Sequence, residues 1–249
     1  MKALYIIGIV AATSILAACK KNEFNITART YVDNMVRLKV GIFTPSITNQ
    51  GVQIKVNGQR MSGIVSYATP FPGGGLNTGG SNNSDYLNIP QGETNVDVSV
   101  PKAGTDVDSV AVFSFSQSLQ ANKRYTLFIT DSVPNATGVM VEDDTTPPDS
   151  LSRVKFLNLM PNVPAVDFYQ GTTLVAANVA YKTVTPYVNI SNGTFQYYIR
   201  EAGSGPNGAV LSGPRSIATG NQRIYTFFAR GYKGGKGTLV PHVSALIVQ

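Results

Sequence analysis

The sequence predicts an all-β protein built as two modules in tandem behind an export signal. Three observations carry that prediction. Charged residues make up only 14% of the 249 residues, while Gly and Pro number 24 and 14, a balance that suits strands and turns and starves helices of their preferred residues. Apolar and polar residues alternate along most of the chain, the period of half-buried strands. The series of strand-like segments then breaks at a Pro-rich stretch and starts again.

The N-terminus reads as an address. Met1-Lys2 supplies a positive start and Ala3 to Leu16 an apolar run broken only by Thr13 and Ser14. The run is short for a membrane span and ends in small residues, as a signal peptide does. Leu16-Ala17-Ala18-Cys19 resembles a bacterial lipobox. The resemblance implies cleavage before Cys19 and lipidation of its sulfur, with residues 1–18 as signal peptide and 19–30 as lipidated Cys and tether. Cys19 is the only cysteine, so an internal disulfide is excluded. Several acyl chains, at about 0.8 kcal/mol per buried CH2, make such an anchor nearly irreversible. Lys20, where lipoproteins retained in the inner membrane carry Asp, points to the outer membrane. Cleavage removes Lys2 and takes the balance of 20 basic and 14 acidic residues from +6 to +5. That mild, dispersed excess lacks the basic stripe nucleic acid requires.

The first module is expected over residues 31–144. Val36 to Val40 alternates with Arg37 and Lys39, and Val52, Ile54 and Val56 alternate with Gln53, Lys55 and Asn57. Asn57-Gly58 marks a tight turn. Pro72 to Ser84 is rich in Gly, Asn and Ser without periodicity and reads as a mobile loop. Val96, Val98 and Val100, then Val110 to Phe115, then Tyr125 to Thr130 read as further strands, with Val139 to Val141 closing the first sheet. Residues 145–150, with Pro147 and Pro148, form the predicted linker, stiffened towards polyproline II. The second module follows over 151–249.

The two modules align. Arg37-Leu38-Lys39 matches Arg153-Val154-Lys155, Tyr67 matches Tyr181, and Leu87-Asn88-Ile89 with Gly92 matches Val188-Asn189-Ile190 with Gly193. Asn122 to Phe128 matches Asn221 to Phe227, to within a one-residue shift. The offset falls from 114 at Tyr67 and Tyr181 to 101 at Leu87 and Val188. The missing residues fall in the Gly/Asn-rich loop, where a true repeat tolerates an insertion.

Val154-Lys155-Phe156-Leu157-Asn158, Pro164 to Tyr169, Leu174-Val175, Val179-Ala180-Tyr181 and Tyr225 to Gly231 resemble domain of unknown function 4397, a module of bacterial envelope proteins often found in tandem behind a lipobox. The match runs from Arg153 to Gly231; the first copy departs from it at Gly41-Ile42-Phe43 and at Gln53-Ile54. The resemblance implies an all-β fold of two tandem immunoglobulin-like β-sandwich modules behind a lipoprotein signal peptide. It implies no enzymatic activity and transfers no catalytic residues.

Candidate chemistry is sparse. The single His, His242, has no Gly-x-Ser-x-Gly elbow to serve and reads as a structural residue of an apolar strand. With one His and a committed Cys, a His/Cys zinc site is excluded. Glu142-Asp143-Asp144 with Asp149 offers calcium ligands, but a solvated linker accounts for them better. No cofactor and no metal are expected. Gly231 to Gly237 reads as a hairpin loop, with Arg230, Tyr232, Lys233 and Lys236 as candidate contacts for an anionic glycan or lipid head group. Tyr169, Tyr187, Tyr197, Tyr198 and Tyr232 offer sugar-stacking faces, and core packing explains them equally. Thr145 and Ser150 match a short pattern for O-glycosylation. The expected function is a non-enzymatic outer-membrane or cell-surface lipoprotein displaying two modules for binding or adhesion, its partners the membrane and either a glycan or another envelope protein. The alternative is a structural or assembly subunit that docks through strand edges.

Overall fold

The computed structural model describes residues 34–44, 51–102, 104 and 109–249. The signal peptide, Cys19 and the tether lie outside the described residues. Strands follow the alternation in order: β1 (Met35–Ile42), β2 (Gln53–Val56), β3 (Gln59–Arg60), β4 (Pro70–Phe71), β5 (Gly75–Leu76), β6 (Leu87–Pro90), β7 (Gly92–Pro101), β8 (Ser109–Leu119), β9 (Arg124–Thr130) and β10 (Thr137–Asp143). The second series is β11 (Ser152–Asn158), β12 (Ala165–Gln170), β13 (Thr173–Ala180), β14 (Val188–Ile190), β15 (Gly193–Glu201), β16 (Val210–Thr219), β17 (Ile224–Arg230) and β18 (His242–Ile247), with a 3-10 turn at Gly237–Leu239. The chain is all-β, as its composition predicts.

Each module is a pair of packed sheets. In the first, β10-β9-β1-β4, with β6 also on β1, faces β3-β2-β7-β8. In the second, β14-β11-β17-β18-β5 faces β13-β12-β15-β16. The alternation decides which side chains meet, because successive residues point to opposite faces. Val36, Leu38, Val40 and Ile42 of β1 join Ile54, Val96, Val98, Leu127 and Ile129 in one core. Val154 and Phe156 of β11 join Phe168, Tyr197, Ile199, Phe227 and Ala245 in the other. Phe156, Phe168, Tyr197 and Phe227 form a stacked and tilted ring cluster at centroid distances of 4.5 to 5.6 Å.

The opposite faces of the same strands, with the residues that follow them, build a third core. Phe43, Phe128, Val141, Leu157, Leu159, Phe228 and Leu246 pack between the modules. Phe43 packs tilted against Phe228 at 4.5 Å and Phe128 meets Phe228 edge-on at 5.5 Å. Strands β9 and β17 are therefore buried on both faces: all of β17 and all of β9 after Arg124 are buried. The result is four stacked sheets rather than two beads on a stiff spacer. The segment between β10 and β11 is a short crossover that lies against the body, with Pro148 buried and Arg153 Nη1 donating to the Thr146 carbonyl at 2.9 Å.

The loop from Pro72 to Ser84 corrects the sequence expectation of mobility. It leaves its own module and adds β5 to the edge of the other, Leu76 opposite Ala245 and Gly75 opposite Leu246. Ile247 N–H donates to the Gly74 carbonyl at 2.8 Å, and Ser84 Oγ donates to the Val248 carbonyl at 2.6 Å. The absence of periodicity reflects a strand of two residues made of backbone pairing, with little side-chain patterning to read.

The repeat holds down to single hydrogen bonds. β1 pairs in parallel with β9 from Arg37–Arg124 to Ile42–Ile129, and β11 with β17 from Arg153–Ile224 to Asn158–Ala229. This register fixes the one-residue shift: Arg124 matches Ile224 and Tyr125 matches Tyr225. Asn122 and Gln222 both take positive φ, at 62° and 57°, and their N–H groups donate to the carbonyls of Met35 and Leu151 at 2.9 and 2.8 Å.

Candidate functional site

A cleft of about 500 Å³ opens beside the seam of the modules, lined by Arg37, Pro72, Ser84, Asp85, Tyr86, Asn88 and Arg124. Three strands and the inserted loop build it. Parallel pairing sets Arg37 of β1 directly beside Arg124 of β9, and antiparallel pairing sets Asn88 of β6 opposite Arg37. Like charges directly across a strand pair are destabilising. Among the described residues, neither guanidinium has a carboxylate partner within ion-pair distance. Burial, and after it the Arg37 charge, pulls the pKa of Arg124 below its ordinary value.

The remaining wall holds Arg124 in place. Its Nη1 donates to the Val248 carbonyl at 2.9 Å, and its guanidinium carbon lies 5.5 Å from the Tyr86 ring centroid. Ser81 Oγ donates to Asp85 Oδ2 at 3.0 Å and steadies that carboxylate. Tyr86 donates to Asp143 Oδ2 at 3.1 Å, and burial, then the Asp143 charge, keeps its phenol protonated far above the ordinary range.

The second module places different side chains at the equivalent positions. Arg153, the counterpart of Arg37, is 2.8 Å from Asp144 and stacks 4.5 Å from the Tyr187 ring centroid. The counterpart of Arg124 is Ile224, which is fully buried. The second copy also lacks the insertion that supplies Pro72, Ser84 and Asp85.

Residues singled out from the sequence fall elsewhere. Arg230 is corrected: it is 7% exposed and faces the seam. Its Nε donates to Ser244 Oγ and its Nη2 to the Asn77 carbonyl, both at 3.0 Å. Sequence pattern alone could not show this, because the partner loop lies 153 positions away. Tyr232 Oη sits 3.2 Å from Ser132 Oγ, and Lys233 pairs with Glu201 while its backbone is held by Asn162. Lys236 is exposed. These residues do not converge on the cleft. Of the proposed sugar-stacking tyrosines, Tyr169 and Tyr197 are buried. Thr145 is half-buried and Ser150 exposed.

The acidic run is each time matched by a cation. Glu142 pairs with Lys123 at 2.6 Å, Asp144 with Arg153 at 2.8 Å, and Asp143 with Lys155 at 3.0 Å. Asp143 is buried, which corrects the expectation of a wholly solvated linker. Among the described residues no cluster of His, Cys, Asp or Glu is arranged to hold a metal. His242 lies opposite Arg230 on β18, half-buried. Burial, then the charges of Arg230 and Arg215, lower its pKa to about 4, so the ring is neutral at pH 7.

Of the cleft residues, Arg37 shows in the sequence as a polar member of a strand alternation, and Pro72 and Ser84 as the ends of an aperiodic loop. Their union needed the parallel register of β1 and β9 and the path of the loop.

Among solved structures, the chain is similar to a "putative cell adhesion protein" from Bacteroides uniformis, at 10% identity over 88% of this chain and 98% of that one. The TM-score is 0.21, too low to carry an argument. No curated protein matches the sequence. Among the described residues no helix is long and apolar enough to cross a membrane. The model of one family matches twice, over residues 39–159 and 152–245, each match covering one sandwich and the two meeting at β11. The chain therefore belongs to the family described as Domain of unknown function (DUF4397), and carries that domain in tandem.

Proposed function

We propose that the chain is a non-enzymatic envelope lipoprotein, anchored to the outer membrane through Cys19, that presents a rigid double sandwich for binding or adhesion. The observation that carries this reading is the cleft beside the seam, an open polar recess on a body whose modules are joined by buried polar contacts such as Asp143 with Lys155 and Arg230 with Asn77. A rigid body keeps such a recess pre-organised, which lowers the ordering cost of binding. The lipobox-like Leu16 to Cys19 supplies the address. Fractionation of cells making the native chain and Cys19→Ala tests the reading. Native protein is expected in outer-membrane fractions and open to added protease, and the variant unlipidated and released. Equal membrane recovery of the two would refute the anchor.

A second reading, a subunit docking through strand edges, has its own observation. The edge of β18 is completed by β5, while the equivalent strand β10 ends its sheet with no strand beyond it among the described residues. An open edge accepts an added strand. Stable co-purification of a second envelope protein, lost on Met140→Pro, would favour it.

A further inference from the structure

We propose that the cleft beside the seam binds the carboxylate of an acidic sugar, with Arg37 and Arg124 as its donors and Asp85, Asn88 and Ser84 set against the sugar's hydroxyls. The proposal deepens the binding function given above and rests on it.

The charge pattern points to an anion. Two guanidiniums sit side by side on neighbouring parallel strands, with no carboxylate neutralising either among the described residues. The second module shows the contrast within one chain. There the equivalent arginine, Arg153, is neutralised by Asp144 and the equivalent of Arg124 is apolar. The repeat thus closes this position once and leaves it charged once, at the place where the inserted loop raises a wall.

The rest of the lining narrows the ligand. A guanidinium fork fits a planar carboxylate by two parallel hydrogen bonds. Arg124 is already fixed by the Val248 carbonyl and the Tyr86 ring, so little of its freedom is lost on binding. Asp85 lies in the same recess, and its negative charge opposes a compact dianion such as phosphate while accepting from hydroxyls. Asn88 both donates and accepts, and Ser84 Oγ, its proton engaged by Val248, keeps its lone pairs for the cleft. Pro72 is the one aliphatic residue lining it, so an apolar ligand would desolvate charges without compensation. A molecule with one carboxylate and several hydroxyls satisfies the whole set. A recess of about 500 Å³ takes one or two sugar rings. Asp85 is the sole carboxylate among the lining residues, whereas hydrolytic glycosidic cleavage uses a pair.

The test is calorimetric titration of the full chain, purified in mild detergent, with oligogalacturonate, neutral oligogalactose, free galacturonate and inorganic phosphate. Binding of oligogalacturonate is expected, with oligogalactose and phosphate at least about 10-fold weaker, the size of one lost charged contact. Arg37→Gln, an exposed and fold-neutral change, is expected to weaken it about 10-fold or more, and Arg124→Gln likewise. Arg153→Gln, in the second module, leaves it unchanged. Free galacturonate binding as tightly as the oligomer restricts the site to a single ring and keeps the proposal; a tighter oligomer extends it to two. Absence of oligogalacturonate binding, equal binding of the neutral oligomer or phosphate, or indifference to both arginine variants would overturn it. Cell fractionation reads the anchoring claim separately. A soluble chain that binds uronate refutes the anchor and keeps the cleft, and an anchored chain that ignores it does the reverse.

Discussion

Lys39 and Lys155 stand on equivalent strands of the two modules, and each ammonium rests over an equivalent tyrosine, 4.4 Å from the Tyr86 centroid and 4.8 Å from that of Tyr187. The symmetry stops at their partners. Lys155 is 3.0 Å from the Asp143 carboxylate, while Lys39 Nζ donates to the Ile247 carbonyl at 2.9 Å. The two buried cations thus share the Asp143 carboxylate unequally.

Lys39 should make the protein more stable in mild alkali. Burial lowers its pKa from 10.5 to about 8, against the pull of Asp143 and Asp85. Between those two values the unfolded chain binds more protons than the folded one, so stability rises with pH across that window. Below pH 8 the full cost of burying the charge is present, roughly 3 kcal/mol for a displacement of that size. Lys39→Met is expected to gain about 1–3 kcal/mol at pH 7 in urea unfolding, after loss of the Ile247 bond, and the gain should shrink by pH 9.5.

Removing the Asp143 charge should act in the other direction from removing Lys39. Asp143→Asn leaves Lys155 buried without a counter-charge and weakens the bonds from Thr126 Oγ1, at 2.6 Å, and Tyr86. The expected loss is about 3–5 kcal/mol, the cost of removing one partner of a buried pair. Glu142→Gln, which breaks the exposed pair with Lys123 one residue away, should leave the melting temperature unchanged. Thermal denaturation of the two variants separates these outcomes.

Arg230 ties the inserted loop to the second module through Asn77 and Ser244. Arg230→Ala should cost about 2–3 kcal/mol, the range for hydrogen bonds from a buried charged donor. It should also open the loop to proteolysis between Pro72 and Ser84, read by limited digestion and mass spectrometry. A loop as resistant as in the native chain would contradict its role as a clasp.

Phe228 is fully buried between Phe43 and Phe128. Phe228→Ala should cost about 3–5 kcal/mol. Because it removes the ring through which the modules meet, it should also split a single calorimetric unfolding transition into two. A single transition in the variant would mean that the clasp and the Asp143 network suffice to couple the modules.

The repeat was readable from the sequence because it rests on local signals: Arg-x-Lys on a strand, Asn before an apolar residue, a turn residue able to take positive φ. Leu87-Asn88-Ile89 and Val188-Asn189-Ile190 align by sequence and occupy matching registers against Arg37 and Arg153. Fold class, module number and most strand positions followed from alternation, since period two is imposed by the backbone. Alternation also set Lys39 apart from the apolar face of its strand. It could not say what lies beyond the other face. Water and a second sheet impose the same pattern on a single strand. The double burial of β9 and β17, the crossing of β5 into its neighbour, and the meeting of Arg37, Arg124 and Asp85 depend on contacts between residues far apart in the chain. Those contacts arise when the seam-facing sides of the two modules exclude water together, and only the tertiary structure records how they do so.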